Sequence, residues 1–369
     1  MPKNSEKLGG NNKLLERLYE LGLTNELLNE YRSEIENYHI GRVIAEYRGS
    51  YKVATEEQDI LARVTGKFMK STFDISEFPA VGDWVIVDRT TNNDGDGIIS
   101  RVLPRKSYVS RKVAGIKTDE QIIASNIDTL FICMSVNNDF NLRRLERYIT
   151  IGWNSGATPV VILTKIDLNN DLESLKSEIE EVAIGIDIFY VSSLTGEGID
   201  EIEKYLKLGK TIGFIGSSGV GKSTLINYLL GEERMQVGDI REDDSKGKHT
   251  TTHRELIVLK NKGIVIDTPG MREIQLLDDT EGIENSFNDI TELAKTCRFS
   301  DCKHAKEPGC AVRAAIEDGT LPQERLDSYN KLLREVQFIE RKNNTKAQQE
   351  HKKNMMKFYK EVRNIKNRP

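Results

Sequence analysis

Short apolar runs separated by turns fill the first third of the chain. The runs cover residues 40–47, 51–55, 60–64, 84–88 and 98–103. Alternation of apolar and polar positions is typical of half-buried strands, and the segments between the runs contain Gly, Asn or Asp, which favour turns. Five strands in so short a segment predict a small closed barrel of the OB type. The pattern leaves open whether this barrel contacts RNA or serves as a rigid spacer or protein-docking module.

Beyond residue 126, strand-like runs alternate with amphipathic helical segments. Strand-like runs cover residues 127–136, 159–163, 186–191, 211–215, 255–259 and 263–266, and helix-like segments cover residues 142–153, 172–182 and 224–230. Such alternation predicts a mostly parallel sheet covered by helices. The expected fold class is therefore multi-domain α/β, with the barrel ahead of the parallel sheet.

Both ends of the chain are predicted to be helical. Leucines at helical spacing over residues 13–36, interrupted around Gly22 and Thr24, predict two short amphipathic helices whose function the sequence does not indicate. From Lys331 to the end, the chain carries twelve Lys or Arg against four Asp or Glu. This basic tail is either a solvated helix or an arm that contacts phosphates.

Composition and charge restrict the partners of the chain. Its 369 residues suffice for two or three domains, and its formal net charge of −5 provides no global positive field to collect nucleic acid. RNA binding must therefore depend on local basic features. The polar N-terminus and the lack of an apolar run long enough to cross a bilayer predict a soluble cytoplasmic protein with no membrane partner.

A phosphate-binding motif follows the apolar run at residues 211–215. Residues 216–223 fit the pattern G-x-x-x-x-G-K-[ST], and a helix-like segment comes next. Glycines let backbone N–H groups turn toward phosphate oxygens, Lys222 supplies a charge at the outer phosphates, and Ser223 can ligate Mg²⁺. The predicted phosphate-binding residues are Gly216, Ser217, Ser218, Gly219, Val220, Gly221, Lys222, Ser223 and Thr224. We therefore expect a nucleoside triphosphate site with Mg²⁺.

A second phosphate-side element follows the run at residues 263–266. The sequence D-T-P-G places the Asp267 carboxylate where it can hold Mg²⁺ through water, and the Gly270 N–H near the γ-phosphate. In many GTPases a glutamine after this glycine orients the attacking water, but Met271 occupies that position here. Since a thioether cannot orient water, another group of the chain or a partner must do so.

Two loops ahead of the phosphate loop resemble guanine-binding elements. Thr164, Lys165 and Asp167 belong to a T-K-x-D sequence that resembles the [NT]-K-x-D element, whose carboxylate accepts hydrogen bonds from the guanine N1–H and 2-amino group. Ser192 and Ser193, after the next strand-like run, resemble the second guanine-contacting loop. Adenine lacks this donor pair, and an unpaired buried carboxylate is costly, so guanine is expected. Thr164 replaces the Asn of many GTPases and removes an amide contact to the purine.

These motifs occur in a circularly permuted order. The base-recognition elements at residues 164 and 192 precede the phosphate loop at residue 216, and the Asp267 element comes last. In most GTPases the phosphate loop comes first. Rotating the order keeps the same sheet but moves the chain ends, so the segment after Asp267 leads directly into the C-terminal region. This arrangement offers a route for coupling nucleotide state to another domain.

A cluster of metal-ligand residues lies in the C-terminal part of the chain. Cys297, Cys302 and Cys310 fall within fourteen residues, with His304 between them. Three thiolates and one imidazole match the closed tetrahedral set of structural zinc sites, although a chance cluster without metal is the alternative. Cys133, inside an apolar run, is interpreted as an ordinary core residue.

Taken together, these features resemble the ribosome small-subunit-dependent GTPase A family (RsgA). The resemblance covers about residues 38–335 and rests on the permuted order, the C-x4-C-x-H-x5-C spacing, the R-K-V-A-G sequence at 111–115 and the G-K-H-T-T-T sequence at 247–252. It implies an OB barrel, a circularly permuted P-loop GTPase domain and a C-terminal helical zinc-binding domain. It also implies that the protein hydrolyses GTP to GDP and phosphate, that the small ribosomal subunit stimulates this activity, and that the protein assists late maturation of the subunit. The resemblance favours contact between the basic tail and ribosomal RNA.

His249 is the expected source of the missing catalytic group. It lies beside threonines in a switch-like segment, and the family resemblance also implies this residue; a mobile surface histidine is the alternative. Thr251 is the expected Mg²⁺-sensing threonine, with Thr250 and Thr252 left open. The predicted catalytic residues are His249, Lys222 and Thr251, and the predicted magnesium ligands are Ser223, Thr251 and, through water, Asp267. If His249 becomes ordered only on a partner, the free protein should hydrolyse GTP slowly.

The predicted organisation has five parts. They are a helical N-terminal extension at 1–37, an OB-fold-like barrel at 38–106, a linker at 107–125, a circularly permuted GTPase domain at 126–284, and a zinc-binding domain with a basic helical tail at 285–369. The expected ligands and partners of this monomer are GTP or GDP with Mg²⁺, one structural Zn²⁺, and the small ribosomal subunit with its rRNA. Alternative functions are a permuted GTPase acting on another RNA or ribonucleoprotein, and a GTP-gated RNA-binding module with negligible hydrolysis.

Overall fold

The computed structural model describes residues 15–31, 33, 37–71, 74–112, 120–137, 140–168, 172–232, 254–260, 262–267 and 280–338. The strands are β1 (His39–Tyr47), β2 (Ser50–Ala54), β3 (Asp59–Val64), β4 (Trp84–Val87), β5 (Gly97–Val102), β6 (Tyr108–Lys112), β7 (Glu120–Ser125), β8 (Thr129–Ser135), β9 (Thr158–Thr164), β10 (Ile188–Val191), β11 (Thr211–Ile215), β12 (Glu255–Val258) and β13 (Ile264–Asp267). The helices are 15–20, Asn25–Glu30, Gly66–Ser71, Leu142–Asn154, Leu172–Val182, Ile199–Ile202, Lys222–Leu230, Glu281–Ser286, Asn288–Lys295, Ala311–Glu317 and 323–338. The chain divides into two compact units, Met1–Gln275 and Leu276–Pro369.

Strands β1 to β5 close into a small barrel in the first unit. The strand order is β1-β2-β3-β5-β4, and β4 returns to pair with β1. Neighbouring strands are antiparallel except for β3 and β5, which are parallel. Because successive side chains of a strand point to opposite faces, alternate apolar residues fill the interior, where Val43, Val53, Ile60, Val85 and Ile99 are fully buried. The predicted OB-type barrel is confirmed.

The nucleotide domain contains a mixed sheet in the order β10-β9-β8-β11-β13-β12. The first five of these strands are parallel, and β12 pairs antiparallel with β13. β8 is buried along its whole length, as expected for a strand covered by helices on both faces. β8 and β9 precede β11 in the chain but lie on one side of it in the sheet. This is the permuted arrangement that the order of the motifs predicts.

The segment predicted as a linker contains an antiparallel ribbon. β6 pairs with β7 from Tyr108 opposite Ser125 to Lys112 opposite Glu120. Val109 and Ile122 are buried, so the ribbon contributes to the core of the first unit. The sequence pattern did not predict these strands, because charged and polar residues at the ends of both segments leave only two or three apolar positions in each. Residues 113–119, which complete the R-K-V-A-G sequence, lie outside the described residues.

The N-terminal helices are part of the first unit's core. Leu18, Leu21 and Leu23 are buried. The two helices separate at Gly22 and Thr24, as the sequence predicts, and the Thr24 hydroxyl caps the second helix by accepting the Leu27 N–H. Gly22 has a φ of 88°, and a Cβ there would lie 2.5 Å from the Gly209 carbonyl oxygen. The extension therefore packs directly against the loop that precedes β11.

Arg42 on β1 joins the N-terminal helices, the barrel and the nucleotide domain. Its fully buried guanidinium donates hydrogen bonds to four oxygens. The acceptors are the carbonyl oxygens of Leu21, Gly82 and Asn126 and the hydroxyl oxygen of Thr211. Burial lowers the pKa of Arg42 to about 10, so the side chain remains charged at neutral pH. The buried positive charge of Arg42 is thus stabilised by four hydrogen bonds within the first unit.

The second unit has a small core of its own. Phe287, Ile290 and Val312, from or beside three of its helices, are fully buried. Arg325 forms an ion pair with Asp289 and lies over the Phe287 ring, with 4.7 Å between the guanidinium carbon and the ring centroid.

Within the described residues, no helix has both the length and the apolar character needed to cross a membrane.

Candidate nucleotide and metal sites

The phosphate loop connects β11 to helix Lys222–Leu230. Gly216, Gly219 and Gly221 have φ values of 147°, 74° and 101°, in the region that favours glycine. A Cβ on Gly216 would lie 2.2 Å from the Cys133 carbonyl oxygen of the neighbouring strand β8, so a side chain is excluded there. The glycine spacing of the motif therefore follows from the path of the backbone.

Lys222 lies over this loop. Its Nζ donates hydrogen bonds to the carbonyl oxygens of Gly216 at 2.7 Å and Ser217 at 2.6 Å. Lys222 is also the first residue of its helix, where backbone N–H groups and the helix dipole favour an anion. Ser223 and Thr224 occupy the same turn and are partly exposed. The loop thus presents N–H groups, a cation and a hydroxyl at one place, which suits a Mg²⁺-bound polyphosphate.

The two predicted base-recognition elements meet at the ends of adjacent strands. β9 and β10 are parallel, and Thr164 lies opposite Val191 at their carboxyl ends. The Ser192 hydroxyl, which is fully buried, donates to Asp167 Oδ1 at 2.6 Å and accepts the Thr195 N–H at 3.2 Å. Ser193 follows it and is partly exposed. The carboxylate expected to bind guanine is therefore held in place by the second loop.

Thr164 is hydrogen-bonded to the phosphate loop. Its hydroxyl donates to the Val220 carbonyl oxygen of the phosphate loop, and the residue is 2% exposed. Lys165 has a φ of 60°, and its Cε lies 3.9 Å from the position of a Cβ on Gly221. The sequence indicated only a lost contact to the purine at Thr164. In the fold this residue ties the base-recognition element to the phosphate loop.

Two residues near the loop were not identified as site residues from the sequence. The Tyr148 hydroxyl lies 3.5 Å from Ser217 Oγ, and Tyr148 is buried on helix Leu142–Asn154. In the sequence it reads as one apolar position of an amphipathic helix, so no local signal distinguishes it. Cys133 lies beneath Gly216, and burial raises the pKa of its thiol to about 12. It is an unreactive core residue, as predicted.

The remaining predicted residues are only partly described. Asp267 is the last residue of β13, whose carboxyl end lies at the same sheet edge as that of the parallel neighbour β11. Nothing is described of the Asp267 side chain. His249, Thr251 and Gly270 lie outside the described residues. Their roles stay predictions.

The predicted zinc ligands converge in the second unit. One ligand atom from each of Cys297, Cys302, His304 and Cys310 lies within 4.8 Å of all the others. Cys297 Sγ is 3.7 Å from His304 Nδ1 and 3.9 Å from Cys310 Sγ. Ligands about 2.3 Å from a tetrahedral ion would be roughly 3.8 Å apart, so the spacing fits. This set could hold one zinc ion.

Electrostatics at the cluster also suit a cation. Burial acts to raise the pKa of Cys297, but N–H groups of Ala311 and Val312 and the neighbouring thiols stabilise the thiolate and lower its pKa overall. Burial, reinforced by the other thiols, raises the pKa of Cys302 to about 11. Closely spaced thiolates repel one another without a cation between them, so metal binding and thiol deprotonation are coupled here.

The loop between His304 and Cys310 is held by one carboxylate. Glu307 accepts backbone N–H groups from Lys303 at 3.1 Å, Ala305 at 2.8 Å and Lys306 at 2.9 Å. Hydrogen bonds from its own N–H and from these neighbours lower the pKa of Glu307 to about 2. The ionised carboxylate thus positions the backbone that carries two ligands.

Comparisons with known proteins agree with this geometry. The family model described as RsgA GTPase matches residues 102–277, and the one described as 50S ribosome-binding GTPase matches residues 211–346. The small ribosomal subunit biogenesis GTPase RsgA 2 of Lactiplantibacillus plantarum is 47% identical over 321 residues, covering 87% of this chain and 90% of the relative. The crystal structure of YjeQ from Thermotoga maritima has a TM-score of 0.60 and 28% identity, over 81% of this chain and 98% of that one. YloQ, titled a circularly permuted GTPase, has a TM-score of 0.58 and 28% identity, over 81% of this chain and 95% of that one.

Proposed function

Because this chain belongs to the RsgA family of GTPases, we propose that it hydrolyses GTP on the small ribosomal subunit and assists late maturation of that subunit. The observation that carries the proposal is the junction of three loops at one sheet edge. The Asp167–Ser192 pair and the Thr164 contact to Val220 join two guanine-type elements to a phosphate loop. The ribosomal target is supported by the name of the relatives.

Guanine recognition is assigned to Asp167, with Ser192 and Ser193 as the adjoining loop. The Asp167 carboxylate accepts hydrogen bonds from the N1–H and 2-amino group, and Ser192 keeps it oriented. Adenine offers no donor pair, so its binding would leave this carboxylate partly unpaired. We assign Lys165 to the same pocket, and Thr164 to positioning the pocket against the phosphate loop.

Phosphate binding is assigned to residues 216–224. The loop N–H groups and the Lys222 ammonium hold the β- and γ-phosphates, and Ser223 holds the Mg²⁺ that accompanies GTP. Bound Mg²⁺ would neutralise charge that develops on the phosphates. Asp267, at the end of β13, and Thr251 are proposed as its further ligands, Asp267 through water. Gly270 would contribute its N–H beside the γ-phosphate.

Orientation of the attacking water is assigned to His249. Met271 stands where many GTPases have a glutamine, and its side chain offers neither a donor nor a strong acceptor. The segment that holds His249 is also the one that carries the proposed magnesium threonine. We infer that this histidine reaches its working position when the protein is seated on its partner, which gives slow hydrolysis in the free state.

Zinc is proposed to be structural and RNA contact to be local. With four protein ligands the ion at Cys297, Cys302, His304 and Cys310 has no open position for chemistry. The basic tail, whose described part includes Lys331 and Arg334, would contact ribosomal RNA phosphates. Small ribosomal subunits are assembled in the cytoplasm, so we place the protein there. We propose that it acts as a monomer.

Phosphate release tests this function directly. Turnover of GTP and ATP should be measured with and without purified small ribosomal subunits. We expect turnover of GTP only, with a rise of orders of magnitude in the presence of the subunits. Turnover of GTP that is indifferent to the subunits would send the search to another ribonucleoprotein partner. Absence of GTP turnover in every condition would favour a nucleotide-gated binding module.

Replacing His249 tests the assignment of the catalytic group. His249→Ala should remove most of the subunit-stimulated turnover, on the order of 10²- to 10⁴-fold for a group that handles the nucleophile. The affinity for GTP should stay within about twofold, because His249 is not assigned to binding. His253→Ala, four residues away, serves as the matched control. Unchanged stimulated turnover in the His249 variant would exclude it from the mechanism.

A further inference from the structure

The barrel and the nucleotide domain share one continuous sheet. β12 pairs with β13 on one side and with β1 of the barrel on the other. Glu255 of β12 lies opposite both Asp267 and Ala45. Since neighbouring strands are about 4.8 Å apart, Ala45 lies roughly 10 Å from Asp267 along this row. The barrel is thus two strands away from a residue that we assign to the magnesium site.

The seam between β1 and β12 is short and is fastened by a side-chain pair. Its ladder contains one residue pair, and the Glu46 N–H adds a hydrogen bond to the Arg254 carbonyl oxygen at 3.4 Å. Arg254 Nη1 lies 2.7 Å from Glu46 Oε2. The same nitrogen donates to the Ile122 carbonyl oxygen of the β6–β7 ribbon at 3.5 Å. Arg254 is therefore bound to the barrel and to the ribbon at once.

Burial distinguishes this ion pair from an ordinary surface pair. The Arg254 side chain is 11% exposed and that of Glu46 is 27% exposed. Removing one partner leaves the other charge poorly solvated, whereas exposed pairs are screened by water and salt. Lys262, in the turn of the β12–β13 hairpin, forms a second ion pair with Glu203, and both side chains are more than one third exposed. The hairpin thus supplies its own matched control.

We propose that Arg254 and Glu46 are positioning residues through which the barrel controls GTP hydrolysis. Arg254 follows His249 by five residues, so the ion pair sets where the segment with the proposed catalytic histidine ends. The strand row from Ala45 reaches Asp267 on the other side of β12. A partner seated on the barrel thereby acts on both phosphate-side elements, and by linkage the bound nucleotide acts on the barrel. This inference rests on the proposed function.

Hydrogen exchange tests the coupling without any partner. The full-length protein is loaded with GDP or with a non-hydrolysable GTP analogue, and amide exchange is compared between the two states. We expect exchange in β1 to depend on the nucleotide in the parent protein and in Lys262→Gln, and to lose this dependence in Glu46→Gln. Equal exchange in β1 for both nucleotides in the parent protein would overturn the inference. So would a nucleotide dependence that survives in Glu46→Gln.

Stimulated turnover tests the consequence. Glu46→Gln and Arg254→Gln should each keep basal turnover and lower the ratio of subunit-stimulated to basal turnover by roughly 5- to 150-fold, the range of ordinary coupling energies. The double variant should lose no more than either single one, and Lys262→Gln should lose nothing. A parallel fall of basal and stimulated rates, or an unchanged ratio, would contradict a positioning role. A parent protein that the subunits do not stimulate would contradict the proposed function, while hydrogen exchange still decides the coupling.

Discussion

The proposed base recognition depends on a few side chains whose hydrogen-bond partners come from distant parts of the chain. The T-K-x-D sequence predicts Asp167 and Lys165 as base-recognition residues without a structure. The buried Ser192 hydroxyl that orients Asp167, and the Val220 carbonyl oxygen that accepts from Thr164, lie 25 and 56 residues away. Contacts between residues so far apart cannot be predicted from the spacing of residues within a motif. The motif residues therefore predict guanine as the ligand, and the fold shows which contacts hold Asp167 and Thr164 in place.

Asp167→Asn should shift nucleotide preference from guanine toward xanthine. A carboxylate accepts from the guanine N1–H and 2-amino group, whereas an amide can donate to the 2-carbonyl oxygen of xanthine. Loss of hydrogen bonds to a charged group costs about 1.5–3 kcal/mol, so GTP should bind roughly 10- to 100-fold more weakly. Dissociation constants for GTP and xanthosine triphosphate measure the change, with Asp200→Asn as a surface control. An unaltered ratio of the two constants would place guanine recognition elsewhere.

At the scale of elements, the metal cluster is built from two helix ends and one loop. Helix Asn288–Lys295 ends just before Cys297, and Cys310 caps helix Ala311–Glu317 by accepting the Arg313 N–H. The spacing of Cys and His predicted the ligands. It did not predict His304 at a φ of 57° or the Glu307 carboxylate that holds the loop, because both depend on backbone geometry.

Cys302→Ser should abolish zinc binding and unfold the second unit. Structural zinc contributes on the order of 10 kcal/mol to small domains of this kind, which a few buried side chains cannot replace. Elemental analysis should find one equivalent of zinc in the parent protein and none in the variant. Unfolding of the second unit is measured as proteolysis within residues 280–338. Ser300→Ala, in the same loop, is the control. The affinity for GTP should be retained, because the proposed nucleotide-binding residues lie in the first unit. A variant whose second unit stays folded without zinc would contradict the prediction.

At the scale of the whole first unit, the N-terminal extension, the barrel and the nucleotide domain form one structure. Arg42 bonds to the N-terminal extension at Leu21, to the barrel segment at Gly82, and to the nucleotide domain at Thr211. This one side chain therefore joins Leu21 to Thr211, which lies 169 residues beyond Arg42 in the chain. The sequence indicated an apolar strand here and offered no reason to single out this arginine. A buried guanidinium that serves four acceptors is typical of a packed junction.

Arg42→Met should destabilise the first unit while leaving the phosphate loop intact. Methionine fills much of the volume but leaves the acceptor oxygens without donors, and unsatisfied buried groups cost roughly 1–3 kcal/mol. Urea denaturation should therefore show a lower free energy of unfolding by about that amount or more. Arg48→Met, at an exposed turn of the same barrel, should change it by less than about 0.5 kcal/mol. Equal stability of the two variants would mean that Arg42 does not hold the parts together.

Chemistry that depends on residues close together in the chain could be predicted from the sequence alone. The glycine spacing of the phosphate loop, the T-K-x-D element and the cysteine cluster each occupy a short stretch of the chain, and the permuted order is the order in which the nucleotide motifs occur. Period-two and helical patterns likewise predicted the barrel and the parallel sheet. The β1–β12 seam, the β6–β7 ribbon and the hydrogen bonds of Arg42 and Thr164 became visible only in the folded protein. Apart from the ribbon, these contacts join residues tens to hundreds of positions apart. Their pairing follows from how whole elements pack rather than from any local periodicity.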